Sequence, residues 1–251
     1  MDLGIKGRRA LVFGGSKGIG RAVAGALAAE GAEVAVCARK EWAARKVASE
    51  AAENSGVRAR GYGIDAWEEA STVTLVDRIV DDFGAIDILF GVARRPVLED
   101  RNALPPGGWE TQLDKGFLRF KAVTETLLPG MRERHWGRIL WMIPWPAPGT
   151  SVERQLYSVM TAALSAWVES AATDLARDNV AMNLLRPAPV SRTAGTGAAS
   201  THHESRQGSA PTHVDTTLSV SQIASTAVFL LGDPAGALRG KTIELGAPGA
   251  G

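Results

Sequence analysis

The residues best suited to chemistry form a glycine-rich turn near the N-terminus. Residues 10–13 are an apolar, strand-like run, and an alanine-rich helical pattern starts at the turn. Glycines in this position let the backbone turn tightly and approach a pyrophosphate, while the following helix directs free N–H groups towards the phosphates. Because a strand precedes and a helix follows, the pattern predicts a dinucleotide site rather than a plain connecting turn. The predicted contacts are Gly14, Ser16, Lys17, Gly18, Ile19 and Gly20.

The residues after the second predicted strand indicate which dinucleotide would bind. An NAD-preferring site places a carboxylate here for the ribose 2′-hydroxyl, whereas this chain has Ala38 followed by Arg39. Arg39 can pair with a 2′-phosphate, and Lys17 adds a second cation. We therefore expect NADP(H) in preference to NAD(H). The alternative is that both cations are solvated surface charges.

The elements that must position these residues alternate along the chain. Strands are predicted at 9–13, 33–37, 58–64, 86–92, 138–143, 180–185 and 242–245, and helices near 18–30, 41–54, 67–83, 109–133, 155–178 and 220–231. This alternation predicts one α/β domain over residues 1–251, a Rossmann-type, doubly wound parallel sheet with helices on both faces. The segment 187–220 is too long for an ordinary connection and is predicted to be a substrate lid, the alternative being a mobile loop.

The composition argues against several classes of partner. The 28 Lys and Arg residues nearly balance the 27 Asp and Glu residues, so no nucleic-acid or membrane-surface role is supported. Because neither a secretory segment nor a membrane-length apolar run is present, we expect a cytoplasmic protein. Cys37 has no disulfide partner and is expected to be a buried small hydrophobe. The histidines of the 187–220 segment lack metal-site spacing, so no metal is predicted.

Several motifs in a fixed order carry a resemblance to a known family. They are the glycine turn, Ile86-Asp87-Ile88-Leu89, Gly137-Arg138-Ile139, Tyr157 near the start of a long helix, and Asn183 with Pro187. With them the chain resembles the short-chain dehydrogenase/reductase family over essentially its whole length. The resemblance implies hydride transfer between a nicotinamide and a carbinol carbon, and a homodimer or homotetramer formed by two long helices. It also implies that Asp65 meets the adenine, unless its carboxylate caps a turn.

The catalytic positions depart from the family pattern. Members use an Asn, a Ser, a Tyr and a Lys, and these positions fall here on Gly116, Pro144, Tyr157 and Thr161. A lysine would favour the phenolate of a tyrosine, whose unperturbed pKa is about 10, but Thr161 carries no charge. Pro144 has neither a hydroxyl nor an N–H to donate. A neutral Tyr157 suits a general acid towards a carbonyl better than a base, so reduction is predicted.

Two further departures involve residues next to the expected cofactor. The family's Thr-Gly start reads Phe13-Gly14, and its Asn-Asn-Ala-Gly run reads Gly91-Val92-Ala93-Arg94. Arg94 can bind a substrate carboxylate or phosphate, or supply the charge that Thr161 lacks; alternatively it points to solvent.

Trp145 lies among prolines beyond the fifth strand and suggests an apolar wall for a bulky or planar substrate. The sequence thus predicts an NADP(H)-dependent reductase of the short-chain type that acts on a carbonyl. Two alternatives remain. One is a redox-neutral enzyme on the same fold, such as a cyclase, dehydratase or isomerase, and the other is a non-catalytic dinucleotide-binding homologue.

Overall fold

A seven-stranded parallel sheet forms the centre of the molecule. The computed structural model describes residues 1–63, 69–93, 103–143, 151–188 and 218–246, with the backbone alone at 69–73 and 151. The strand order is β3-β2-β1-β4-β5-β6-β7, which confirms the doubly wound fold predicted from the sequence. The strands are β1 (Arg9–Phe13), β2 (Glu33–Ala38), β3 (Ala59–Gly63), β4 (Ile88–Val92), β5 (Gly137–Met142), β6 (Val180–Pro187) and β7 (Thr242–Leu245).

Helices cover both faces of the sheet. Successive side chains of a strand point to opposite faces, so β1 contributes Val12 to one core and Leu11 and Phe13 to the other. The first core packs against α1 (Gly18–Ala29), α2 (Glu41–Ser55) and α7 (Val220–Leu230), and the second against α3 (Glu69–Phe83), α5 (Arg119–Glu133) and α6 (Ser151–Ala176). Because both faces are covered, the central strands are nearly continuous apolar runs, as parallel sheets require.

The helix predicted over 109–133 is interrupted. A short α4 (Gly108–Leu113) leads into a π-helical turn (Asp114–Leu118), and only then does α5 begin. Gly116 lies inside the π-helical turn, and a Cβ atom at this position would be 2.8 Å from the sulfur of Met160 on α6. Glycine is a poor helix former that allows this close approach, and π-helical turns occur frequently at functional sites.

Candidate functional site

A cavity of about 430 Å³ opens at the carboxyl ends of β1, β2, β4 and β5. It brings together all the predicted cofactor residues that the structure describes. These are Gly14, Ser16, Lys17, Gly18, Ile19, Gly20 and Arg39. In parallel α/β sheets, ligands bind beyond the carboxyl ends of the strands, so the cavity lies where the fold places a ligand.

The glycine-rich turn has backbone geometry that favours glycine. Gly14 and Gly18 have φ angles of 74° and 55°, in the left-handed region. The N–H groups of Gly14 and Gly15 both donate to the Cys37 carbonyl oxygen, at 3.0 and 3.1 Å, and so attach the turn to β2. A Cβ atom at Gly20 would be 2.8 Å from the Gly14 carbonyl carbon and closer still to its oxygen. The turn therefore brings α1 unusually close to the end of β1.

The N-terminus of α1 carries an uncompensated positive potential. Lys17 is its N-cap residue, makes no capping hydrogen bond through its side chain, and is followed by a first turn without acidic residues. Free N–H groups and the helix dipole favour an anion at such an end. Lys17 and Arg39 are both exposed at the cavity, and Ala38 supplies no carboxylate.

The inner end of the cavity is apolar and aromatic. Trp141 is only 2% exposed, with its ring centroid 4.4 Å from that of Phe120 and 6.5 Å from that of Phe13. The indole N–H donates to the Thr124 hydroxyl at 3.1 Å, which fixes the ring orientation. A Cβ atom at Gly91 would be 2.5 Å from Cε3 of Trp141. The absence of a side chain at position 91 is therefore what makes room for the indole ring. We give the name aromatic floor to six residues that line this end of the cavity: Phe13, Val92, Phe120, Val123, Trp141 and Met142.

One lining residue that sequence reasoning missed is Arg119, at the start of α5. Its Nε and Nη2 donate to Oδ2 of Asp114 at 3.0 and 2.7 Å, and its side chain is 10% exposed. Its Nη1 is buried and has no partner in the described part of the chain. The signal was available: position 119 follows Gly116 by three residues and precedes Val123 by four, which places an arginine on the buried face of a helix.

Two of the four positions that correspond to the family's catalytic residues, Tyr157 and Thr161, lie on α6. Tyr157 is nine-tenths buried, and its hydroxyl has no hydrogen-bond partner among the described residues. Thr161, one helical turn further along, has a buried Oγ1 that likewise lacks a described partner. Tyr157 packs in the same core as Phe13 and Trp141, but it is not among the described residues that line the cavity.

Several predicted site residues lie outside the described residues. They are Asp65, Arg94, Pro144, Trp145 and most of the predicted lid, residues 189–217. Their assignments as adenine contact, substrate contacts, catalytic substitution and lid stay predictions.

Cys37 lies below the glycine-rich turn and is fully buried, as its position in the strand pattern predicted. Burial raises the pKa of the Cys37 thiol well above its ordinary value, because a thiolate would lose its hydration there. The thiol is therefore neutral and contributes an apolar contact to the cavity.

Comparison with known proteins shows what this chain is similar to. The family model described as "Enoyl-(Acyl carrier protein) reductase" matches residues 14–246. A 3-oxoacyl-[acyl-carrier-protein] reductase of Aquifex aeolicus is 30% identical over 190 residues, covering 74% of this chain and 75% of that protein. The short-chain reductase protein NovJ of Streptomyces niveus is 29% identical over 246 residues, covering 94% of this chain and 91% of that protein.

Solved structures share the fold over nearly the whole chain. A 3-oxoacyl-(acyl-carrier-protein) reductase from Agrobacterium tumefaciens with NADP bound has a TM-score of 0.76 and 25% identity, covering 97% of this chain and 95% of that chain. L-sorbose reductase from Gluconobacter frateurii, complexed with NADPH and L-sorbose, also has a TM-score of 0.76, at 23% identity and 98% and 97% coverage.

The chain belongs to the short-chain dehydrogenase/reductase family, the group that its sequence motifs indicated. It is an oxidoreductase-type member, since the relatives that it matches are reductases and dehydrogenases. Among the described helices, none combines the length and the apolar character that a membrane crossing requires.

Proposed function

We propose that this chain is an NADP(H)-dependent reductase of the short-chain type that acts on a carbonyl of a bulky or planar substrate. The observation that carries the proposal is that the glycine-rich turn, the α1 N-terminus and Arg39 all line the same cavity. These groups fit the pyrophosphate and ribose of a dinucleotide: N–H donors and a helix N-terminus for the diphosphate, and a cation for a 2′-phosphate.

The preference for NADP(H) rests on Arg39 and Lys17. Both are exposed at the cavity, and no acidic residue is found among its described lining residues. A guanidinium can bind a phosphate with two parallel hydrogen bonds. The 2′-hydroxyl of NAD(H) is neutral and cannot form such a charged pair. The NADP-bound Agrobacterium tumefaciens relative gives this preference weak additional support.

Tyr157 is the proposed proton donor. The glycine-rich turn and Arg39 would hold a nicotinamide dinucleotide, which would supply the hydride for the substrate's carbonyl carbon. The phenolic O–H of Tyr157 gives its proton to the carbonyl oxygen, which becomes the alcohol hydroxyl, and the resulting phenolate takes up a proton from water. Its hydroxyl is buried without a partner among the described residues, so no competing hydrogen bond holds the proton there.

A redox-neutral or non-catalytic role is the second candidate, because three observations count against the usual catalytic set. At the family's asparagine position, Gly116 offers no side chain and Met160 occupies the neighbouring space. Thr161 carries no charge in place of the lysine, and Tyr157 does not line the cavity within the described residues. Formation of a product of unchanged oxidation state, or dinucleotide binding without turnover, would favour this candidate.

Replacement of Tyr157 by Phe tests the proton donor. We expect a loss of turnover of about 10²–10⁴-fold, the range typical of removing a positioned acid. The matched control is Tyr62→Phe, which deletes the second of the chain's two tyrosine hydroxyls. Tyr62 donates to Asp82 at 2.7 Å and is not a described lining residue of the cavity. Equal NADPH oxidation by wild type and Tyr157→Phe, across a panel of ketones, would contradict the proton-donor role.

Replacement of Arg39 by Met tests the cofactor preference. Loss of a charge-assisted hydrogen bond should weaken NADPH binding by about 10- to 100-fold and leave NADH binding unchanged. Arg21→Met is the control, because Arg21 is an exposed arginine that pairs with Glu50 at 2.8 Å. If Arg39→Met weakened NADPH and NADH binding equally, Arg39 would not be the residue that recognises the 2′-phosphate.

A further inference from the structure

Arg119 differs from the other cations of the cavity in its burial. Of the described lining residues, Lys17, Arg39 and Arg119 carry charge, and none is acidic. Lys17 and Arg39 are exposed, so water can solvate them whether or not a ligand is present. The Arg119 side chain is only 10% exposed and lies next to the aromatic floor. A cation in such surroundings needs hydrogen-bond acceptors on all sides to offset its lost hydration.

The hydrogen bonds of Arg119 are incomplete. Asp114 accepts from Nε and Nη2, while Nη1 is buried and has no partner in the part of the chain that the structure describes. Buried donors in native proteins are almost always satisfied, so an unsatisfied guanidinium nitrogen of a residue that lines a cavity points to an acceptor that the ligand brings.

The π-helical turn explains how Arg119 is held. Asp114 and Arg119 are five residues apart and stand at the two ends of that turn. In a regular α-helix, residues at this separation point about 140° apart and would not pair. The i→i+5 geometry of a π-turn brings them together, and such turns recur at functional sites. The irregular segment around Gly116 therefore orients a guanidinium with one edge fixed and the other edge free.

We propose that Arg119 is an anion-binding residue of this cavity, which donates from Nη1 to an oxyanion of the ligand. Its free edge selects a ligand that combines an anionic oxygen with an apolar, planar portion for the aromatic floor. Two sources carry that oxygen: a phosphate of the dinucleotide or a carboxylate of the substrate. The inference rests on the proposed function only if the anion is a phosphate of the dinucleotide. A carboxylate ligand could bind Arg119 whether or not the cavity also holds a dinucleotide.

The test compares ligand affinities of variants by calorimetric titration, with NADPH and naphthoate as the two probes. Arg119→Met removes the guanidinium and keeps an apolar stem. The double variant Asp114→Asn/Arg119→Met also removes the carboxylate that the single change leaves without its partner. Lys121→Met is the matched control, since Lys121 forms an exposed ion pair with Glu125 on the same helix. Circular dichroism and thermal unfolding verify that each variant is folded.

We expect Arg119→Met and the double variant to lose about 10- to 100-fold in affinity for at least one probe, while Lys121→Met stays within about twofold. A loss for NADPH identifies the phosphate as the source, and a loss for naphthoate alone identifies a carboxylate. Wild-type affinity of a folded Arg119 variant for both probes would overturn the proposal, as would wild-type protein that binds neither. If the wild type binds naphthoate but not NADPH, the proposed cofactor fails while Arg119 is still tested.

Discussion

Gly91 offers the sharpest test of how this cavity is built. We predict that Gly91→Ala destabilises the protein through packing alone, because the φ angle of Gly91 is not positive and alanine can adopt its backbone conformation. An added Cβ would be 2.5 Å from Cε3 and 3.0 Å from Cη2 of Trp141, and closer still to Cζ3. Carbon atoms pack at about 3.5–4.0 Å, so the indole must move by about 1 Å or more.

The cost follows from what surrounds the indole. Overpacking a core typically costs about 1–3 kcal/mol. The shift also lengthens the hydrogen bond from Trp141 to Thr124, which is now 3.1 Å long. Loss of this hydrogen bond would cost a further amount of about 0.5–1.5 kcal/mol. The reduced entropy of the unfolded chain returns about 0.4–1 kcal/mol. The expected net loss is therefore about 0.5–4 kcal/mol in the free energy of unfolding.

Urea unfolding of a double-mutant cycle measures this cost. Leucine at position 141 lacks the three ring atoms in conflict, so Gly91→Ala should cost under about 0.5 kcal/mol in a Trp141→Leu background. Gly25→Ala is the control: this glycine is exposed on a helix and an added Cβ would point into open space, so the change should stabilise by about 0.5–1 kcal/mol. A Gly91→Ala protein as stable as wild type, or an equal penalty in both backgrounds, would refute the reasoning.

Three further predictions concern the cavity and the β3 edge of the sheet. Cys37 should react with a thiol reagent at pH 8 only as fast as the protein unfolds, because it is fully buried and its thiol pKa is raised; rapid labelling of native protein would contradict this. Gly20→Ala should weaken NADPH binding at least about tenfold, since a Cβ there collides with the Gly14 carbonyl; unchanged affinity in calorimetry would contradict it. The hydrogen bond from Arg60 lowers the pKa of the Asp82 carboxyl, so its stabilisation is full above the unfolded-state pKa of about 3.9 and is lost as the pH falls through the folded-state pKa. The difference in urea midpoint between wild type and Asp82→Asn should shrink over that interval, and a constant difference would contradict the pairing.

The sheet and the glycine-rich turn could be predicted because their signals are local in the sequence. Apolar runs of strand length and the spacing of Gly14, Gly18 and Gly20 each follow from backbone geometry. The π-helical turn could not be predicted, and neither could the close approach of Gly116 to Met160, a residue of another helix. A helical period alone gives a single continuous helix there.

The aromatic floor could not be predicted by comparing one residue at a time with the family pattern. From the sequence, Phe13 and Gly91 are two separate departures from the family pattern. In the fold they lie around one side chain, Trp141, whose ring takes the space that a residue at position 91 would fill. Helical spacing indicates that Arg119 lies on a buried face, but its pairing with Asp114 depends on the π-helical turn, which no motif records.

Calorimetric titration of the wild-type protein with NADPH, NADP⁺, NADH and NAD⁺ tests the central claim most directly. The account predicts saturable binding at one site per chain, with the phosphorylated nucleotides at least about tenfold tighter, equivalent to about 1.4 kcal/mol. Absence of binding by all four nucleotides would contradict the claim that this cavity holds a nicotinamide dinucleotide.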